Sequence, residues 1–375
     1  MIFRCPKDTW LRGVSAVQNA VGSTISNPMV ENILVSCKGQ EVFFLATNLS
    51  LTIRCCRQVQ VDEEGDIALP TKVITGLVRD LPIGEVSFSC KETDVEIRCG
   101  SFYGVLKGQP GENFPPFLPV TEGKEWSVPV GVLRDAIRRT VFATSTEKSR
   151  FELDGVKVDL SDGTLFFVAT DGRRLAQVTY KSPDLPTEPF GILVPTKTVA
   201  ELLSSLPDSG DVQITASERR VMFSCGDLTV ASNILTGKFP PYEKIIPRGG
   251  RFMLVADRVA LLDAVKRVSD LTSIETYMVI LSLTEDKIKV FGERAEVGGR
   301  GEEILGAEYT GESLDIRYNY RFLVDVLRVL GEEKVTMELW DGERPSVLRA
   351  AGRDDFLCVL MPMKRPEGES EEASS

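Results

Sequence analysis

Val194-Pro195-Thr196-Lys197-Thr198-Val199-Ala200-Glu201-Leu202-Leu203-Ser204-Ser205-Leu206-Pro207 has a near copy earlier in the chain. That copy is Leu69-Pro70-Thr71-Lys72-Val73-Ile74-Thr75-Gly76-Leu77-Val78-Arg79-Asp80-Leu81-Pro82, and its start lies 125 positions before the start of the other. A looser third copy runs from Tyr318-Asn319-Tyr320-Arg321-Phe322-Leu323 to Leu330-Gly331. Each reads as a helix, and each leads into an alternating run that reads as a strand: Glu85-Val86-Ser87-Phe88, Asp211-Val212-Gln213-Ile214 and Lys334-Val335-Thr336-Met337. A second helical set precedes these: Trp10 to Val17, Val132 to Arg139 and Ala260 to Arg267. Between the two sets lie strand-like runs at Glu41–Ala46, Thr164–Ala169 and Asp286–Phe291. The order helix, strands, helix, strands therefore occurs three times in 375 residues. This period is too long for a solenoid, and it predicts three α+β domains, each with two helices packed on antiparallel sheets.

Pro-rich and Gly-rich joints separate the copies. Asn113-Phe114-Pro115-Pro116-Phe117-Leu118-Pro119 leads to Glu122-Gly123-Lys124, and Phe239-Pro240-Pro241-Tyr242 leads to Pro247-Arg248-Gly249-Gly250. The expected domains are 1–124, 125–249 and 250–365, with an acidic tail at 366–375 that reads as disordered.

The chain carries 44 Lys and Arg against 55 Asp and Glu, a net charge of −11. A protein that grips nucleic acid over its whole surface is normally basic, so any DNA-facing surface must be a local patch on an acidic body. The helices are where such a patch can be: the segments 129–140, 70–81 and 319–330 each hold more basic than acidic residues, and 257–270 is balanced. Taken alone these are ordinary solvated helix faces; a threefold repeat would gather them onto one surface.

Histidine is absent, which removes the commonest general base and a common metal ligand. No P-loop, GxGxxG, HExxH or EF-hand pattern occurs. Asp171-Gly172 reads as a tight turn after a strand, and Asp62-Glu63-Glu64-Gly65 as a hairpin loop. No catalytic residue, metal or cofactor is expected. The eight cysteines form no CxxC pair and sit mostly in apolar strand-like runs, so they read as buried free thiols of a cytoplasmic protein. No apolar stretch approaches the length of a membrane span.

Three motifs carry a resemblance. Val168-Ala169-Thr170-Asp171-Gly172-Arg173-Arg174-Leu175-Ala176, then Gly237-Lys238-Phe239-Pro240-Pro241-Tyr242 with Ile246-Pro247, and finally Val359-Leu360-Met361-Pro362-Met363-Lys364 are similar to segments of the bacterial DNA polymerase III beta subunit family, the sliding clamps. Arg321-Phe322-Leu323-Val324-Asp325-Val326-Leu327 resembles the last helix of that family's third domain. The resemblance spans residues 1–364 and implies a homodimeric ring of six domains around double-stranded DNA. Helices would line the hole, and the ring would tether the replicative polymerase, other polymerases, the clamp loader and repair proteins. It implies no catalysis.

Carried over position by position, the resemblance implies a partner-peptide pocket made by Leu153, Thr170, Gly172, Arg173, Arg174, Leu175, Pro240, Lys244, Ile245, Ser346, Val359, Met361, Pro362, Met363 and Lys364. The aliphatic and Met side chains give an adaptable apolar cleft, with arginines at its rim for polar peptide groups. DNA-facing residues would be Arg12, Lys72, Arg79, Arg134, Arg138, Arg139, Lys197, Lys266, Arg267, Arg321 and Arg328. The dimer contact would place Phe102, Tyr103 and Leu106 of the first domain against Leu271 of the third. The chain departs from the family pattern at Arg173, where some members carry His, at Lys244 and Lys364, where Arg is frequent, and in Ser23-Thr24-Ile25-Ser26-Asn27-Pro28, which lacks an Arg before its Pro. Two other classes fit less well: a peptide-binding scaffold of the same fold that does not encircle DNA, and an enzyme of unrecognised mechanism.

Overall fold

The computed structural model describes residues 1–22, 27–145, 147 and 149–364. The 23–26 part of the loop without its arginine, and the tail 366–375, lie outside the described residues. Six α-helices are present among those described, and each begins where a strand ends. Helix α1 (Lys7–Val17) follows the strand Ile2–Pro6, and α2 (Thr71–Asp80) follows Gly65–Pro70. Helix α3 (Val130–Thr140) follows Lys124–Pro129, and α4 (Thr196–Ser205) follows Phe190–Pro195. Helix α5 (Arg258–Ser269) follows Phe252–Asp257, and α6 (Tyr320–Leu330) follows Leu314–Asn319.

The junction residues explain the sharp change. Pro6, Pro70, Pro129 and Pro195 end their strands, and a proline fixes φ while offering no amide for further pairing. In the last repeat Asp257 and Asn319 do the work by capping: Asp257 accepts from the Ala260 amide at 2.7 Å and Asn319 from the Arg321 amide at 3.0 Å. The two helices of each repeat are also tied alike. The first amide of α1, α3 and α5 donates to the carbonyl of Gly84, Gly210 and Glu333 respectively, at 2.9, 2.9 and 2.8 Å. A cation of the first helix then caps the C-terminus of the second. Lys7 donates to the Arg79 and Leu81 carbonyls, Arg134 to those of Leu206 and Pro207, and Arg258 to those of Leu327 and Glu332. Orphan carbonyls at a helix end, where the dipole is negative, are satisfied by these cations.

Two compact units make up the chain, and the middle repeat contributes to both. One comprises Met1–Asp135 and Pro183–Thr236. It holds a five-stranded antiparallel sheet in the order Gln60–Glu63, Ile2–Pro6, Glu85–Lys91, Asp94–Cys99, Phe102–Lys107. Its second sheet has nine strands, and at its middle Leu51–Gln58 pairs with Leu228–Asn233, so strands of the first and second repeats share one ladder. Helix α1 lies against Glu41–Thr47 and Leu51–Gln58 and beside α2. Its buried face is Trp10, Gly13, Val14 and Val17. Burying the Trp10, Val14 and Val17 side chains contributes about 1.5–3 kcal/mol each. Gly13 is required there: a Cβ would sit 2.3 Å from the Phe44 ring.

The other unit comprises Ala136–Ser182 and the described residues from Gly237 on. Here Arg174–Lys181 pairs with Phe356–Leu360, joining strands of the second repeat to strands of the third. Helices α5 and α6 pack side by side, and α5 covers Lys287–Arg294 and Gly299–Thr310. Residues 299–306 of that long strand pair with 287–294, while 307–310 cross over to pair with 253–256, leaving 299–306 as an edge.

The expected strands at 41–46 and 164–169 extend to Thr47 and Thr170, and the third runs Lys287–Arg294. One expectation needs correction. Asp62-Glu63-Glu64-Gly65 is not a hairpin loop: Glu63 pairs with Ile2 in the five-stranded sheet, and Gly65 pairs with Cys37 in the nine-stranded one. The chain switches sheets within one residue, and Gly65 permits this with φ +154 and with Met1 pressed against it.

Candidate partner-binding site

The site is built around the turn at Asp171–Arg174, within the second unit. The Asp171 carboxylate accepts from the Arg173 and Arg174 amides, both at 2.9 Å, and the Thr170 hydroxyl accepts from the Gly172 amide at 3.1 Å while donating to the Arg174 carbonyl at 2.6 Å. Gly172 has φ +85, which a side chain would oppose. The expected tight turn is therefore present. The C-terminal run is then stitched to it: the Met361 amide donates to the Arg173 carbonyl at 2.9 Å, and the Met363 amide to the Arg317 carbonyl at 2.7 Å.

Between these segments and the start of α6 lies a cavity of about 770 Å³. Gly172, Arg173, Met361, Pro362 and Met363 line it, as the sequence reading expects. So do Glu275, Thr276, Tyr277, Asn319 and Phe322, which that reading missed, and Arg321, which it assigned to DNA. Arg321 lies 3.6 Å from the centre of the Tyr277 ring, and its guanidinium is thereby engaged at this cavity. Tyr277 is held in the left-handed region with φ +55, its carbonyl accepting from the Tyr320 amide at 2.8 Å. No periodicity announces such a residue; the one available signal was Asn319, an N-cap before an apolar helical run.

The remaining pocket candidates divide by burial. Leu175 and Val359 are paired across adjacent strands and packed with Val168, Tyr242, Val347 and Leu357 into a buried cluster, against which Phe239 and Ile246 lean. Burial, then the Asp159 carboxylate that accepts the Tyr242 hydroxyl at 3.0 Å, push that hydroxyl above its ordinary value of 10.0. Leu153, Thr170 and Ser346 are also buried, and Ser346 hydrogen-bonds the buried Tyr318 hydroxyl. Pro240 is half-buried, Lys244 and Lys364 are exposed, and Ile245 and Met361 are each 41% exposed. Arg174 is not at the rim: its side chain is 10% exposed and consumed by internal partners, because two carboxylates and a carbonyl converge on it.

Two unpaired strand edges carry exposed apolar side chains. Phe102–Lys107 is the outer strand of the five-stranded sheet, with Tyr103 and Val105 54% and 55% exposed and Phe102 and Leu106 half-buried. The 299–306 edge carries Ile304, 59% exposed, and the Leu271 side chain lies against Gly299 and Gly301.

Comparison with known proteins decides the family. Residues 1–119, 127–241 and 243–364 match, in turn, the N-terminal, central and C-terminal domains of the DNA polymerase III beta subunit. The chain belongs to the bacterial beta sliding clamp family. The beta sliding clamp of Treponema pallidum is 30% identical over 372 residues, covering 97% of this chain and all of that one. That of Pseudomonas putida is 29% identical with the same coverage. Among solved structures, a sliding clamp of Pseudomonas aeruginosa bound to griselimycin superposes with a TM-score of 0.93 at 29% identity, and the Bacillus subtilis clamp with 0.92 at 25%, each covered in full. As a beta sliding clamp the chain is an α+β protein of three repeated domains with two helices each, a non-catalytic replication factor.

Apart from Arg321, the cations expected to face DNA differ in their surroundings. Arg12, Lys72, Arg79, Arg138, Lys197, Lys266 and Arg328 are exposed. Arg267 is also exposed, but Glu303 on the edge strand grips it through two hydrogen bonds of 2.8 and 2.6 Å, which holds the Glu303 carboxyl below its ordinary value. Two expectations are corrected. Arg134 is half-buried as the cap of α4, and Arg139 is 8% exposed with its guanidinium 5.3 Å from the Phe356 ring. Helical periodicity shows where a residue points only relative to its own axis, and both side chains point into packed segments far away in sequence.

Proposed function

We propose that the cavity between Gly172, Phe322 and the Met361–Met363 run receives a short partner peptide with apolar anchors, and that this is how the clamp holds polymerases, the clamp loader and repair proteins. The cavity itself carries the reading. Two methionines, a proline and two aromatic rings offer adaptable apolar contact, and Arg173, Arg321, Asn319 and Glu275 offer polar contact at its walls. Burying two anchors would contribute roughly 3–6 kcal/mol before ordering costs, so a modest affinity is expected.

In this proposal two chains join head to tail. The exposed edge Phe102–Lys107 of one would pair with the 299–306 edge of the other, Phe102, Tyr103, Val105 and Leu106 meeting Leu271 and Ile304. Unpaired edges with exposed apolar side chains support this, since such edges seek a partner strand. The three domains are taken as 1–124, 125–249 and 250–365. The ring would enclose duplex DNA, with Arg12, Lys72, Arg79, Arg138, Lys197, Lys266 and Arg328 giving sequence-independent phosphate contact that permits sliding. The free thiols suit the cytoplasm.

Fluorescence anisotropy with a synthetic peptide carrying a Gln followed by Leu and Phe anchors tests the pocket. Saturable binding that is lost in Met361→Glu is expected; unchanged binding in that variant would place the peptide elsewhere.

A further inference from the structure

Arg174 stands behind the cavity wall and does not line it. Its Nε donates to Asp171 Oδ2 at 3.0 Å, one terminal nitrogen to Asp325 Oδ2 at 2.8 Å, and the other to the Phe142 carbonyl at 2.6 Å. The same guanidinium lies 4.5 Å from the centre of the Phe322 ring and 5.1 Å from that of Phe142. One side chain thus joins the 3-10 turn Val141–Ala143, the Asp171–Arg174 turn and helix α6. Two of the things it holds are cavity wall: Phe322 directly, and Gly172 and Arg173 through Asp171, which caps their turn. Met361 follows, since its amide hangs on the Arg173 carbonyl.

We infer that Arg174 is a positioning residue for partner binding, fixing the Phe322 ring and the 171–173 turn in the arrangement that an incoming peptide needs without touching the peptide. The geometry demands arginine. Only a planar fork can serve two carboxylates and a carbonyl while standing over two aromatic rings; a lysine ammonium is a point charge and can satisfy part of this set. A wall pre-set in this way spares the peptide the cost of ordering it.

The inference rests on the peptide reading above, and a double-mutant cycle in the full-length chain separates the two. Anisotropy with the Gln, Leu and Phe peptide is measured for the unaltered chain, Arg174→Ala, Phe322→Ala and the double variant, beside thermal melts. Arg174→Ala is expected to weaken binding by about ten-fold in the unaltered background and by less than about two-fold once Phe322 is gone, because its effect passes through that ring. Arg174→Lys should be nearly as weak as the alanine variant. A merely structural role would lower the melting temperature and leave the affinity of the folded protein unchanged. Equal losses in both backgrounds would mean direct peptide contact and overturn the inference. If Arg174→Ala does not fold, Asp325→Asn, outside the cavity, replaces it: a loss of affinity that vanishes with Phe322→Ala supports the positioning role, and unchanged affinity overturns it. If the unaltered chain does not bind the peptide, the functional proposal fails instead.

Discussion

Arg134 and Arg138 stand one helical turn apart on α3, and the structure gives them different work. Arg134 bonds the Leu206 and Pro207 carbonyls at 2.8 and 2.7 Å, so Arg134→Ala leaves the end of α4 unsatisfied. A charge-assisted hydrogen bond contributes about 1.5–3 kcal/mol, and urea unfolding should show a loss of that order. Arg138 is exposed, and Arg138→Ala should change stability by less than about 0.5 kcal/mol. Its effect should appear instead as faster loss from closed circular duplex as salt rises. If both variants lose stability alike, the division between cap and phosphate contact is wrong. From sequence the two arginines are indistinguishable, because the carbonyls that claim Arg134 lie 72 and 73 positions away. Arg174 sits behind the rim for the same reason: its motif is plain in the sequence, but the carboxylate that draws it inward is Asp325, 151 positions on.

Among the elements, helices were legible and sheet connections less so. Apolar spacing locates α1 to α6 to within three residues of their observed ends, and a strand-ending proline marks the start of α1 to α4, since both signals act over a single turn. The 62–65 stretch misled because Asp, Glu and Gly mark a reversal and a change of sheet equally well. The cavity was half legible: the Met361–Met363 run announces itself, whereas Tyr277 enters through a left-handed backbone that no residue pattern encodes. Two element-scale outcomes follow. Gly13→Ala should cost about 1–3 kcal/mol by driving α1 off Phe44, read as a lower urea midpoint. Val105→Lys or Ile304→Lys should convert a dimer into a 41.4 kDa species in sedimentation, since each places a charge among the apolar side chains of one proposed edge. A dimer that survives both would require another interface.

At the scale of the whole molecule, buried thiols set an alkaline limit. Burial, with Glu85 adding to it, pushes the Cys5 thiol up from 9.0 to about 12, and burial likewise takes Cys37 to about 12. Below pH 9 native and unfolded chains both keep these protons, so the stability is fully present. Above pH 9 the unfolded chain releases them while the native one holds on, and stability should fall by about 1.4 kcal/mol per thiol for each pH unit until about pH 12. Urea midpoints measured from pH 8 to 11 check this; a flat profile would mean that the two thiols titrate freely.

The two shared ladders have a consequence for proteolysis. Residues 51–55 are zipped to 228–232 and residues 174–178 to 356–360, so a repeat is fastened to the next by β-pairing as well as by the peptide that connects them. The connecting peptides are exposed around 121–123 and 248–250. A protease that nicks one of them breaks a covalent bond that the assembly does not need: the pieces should separate on a denaturing gel yet travel together through a sizing column.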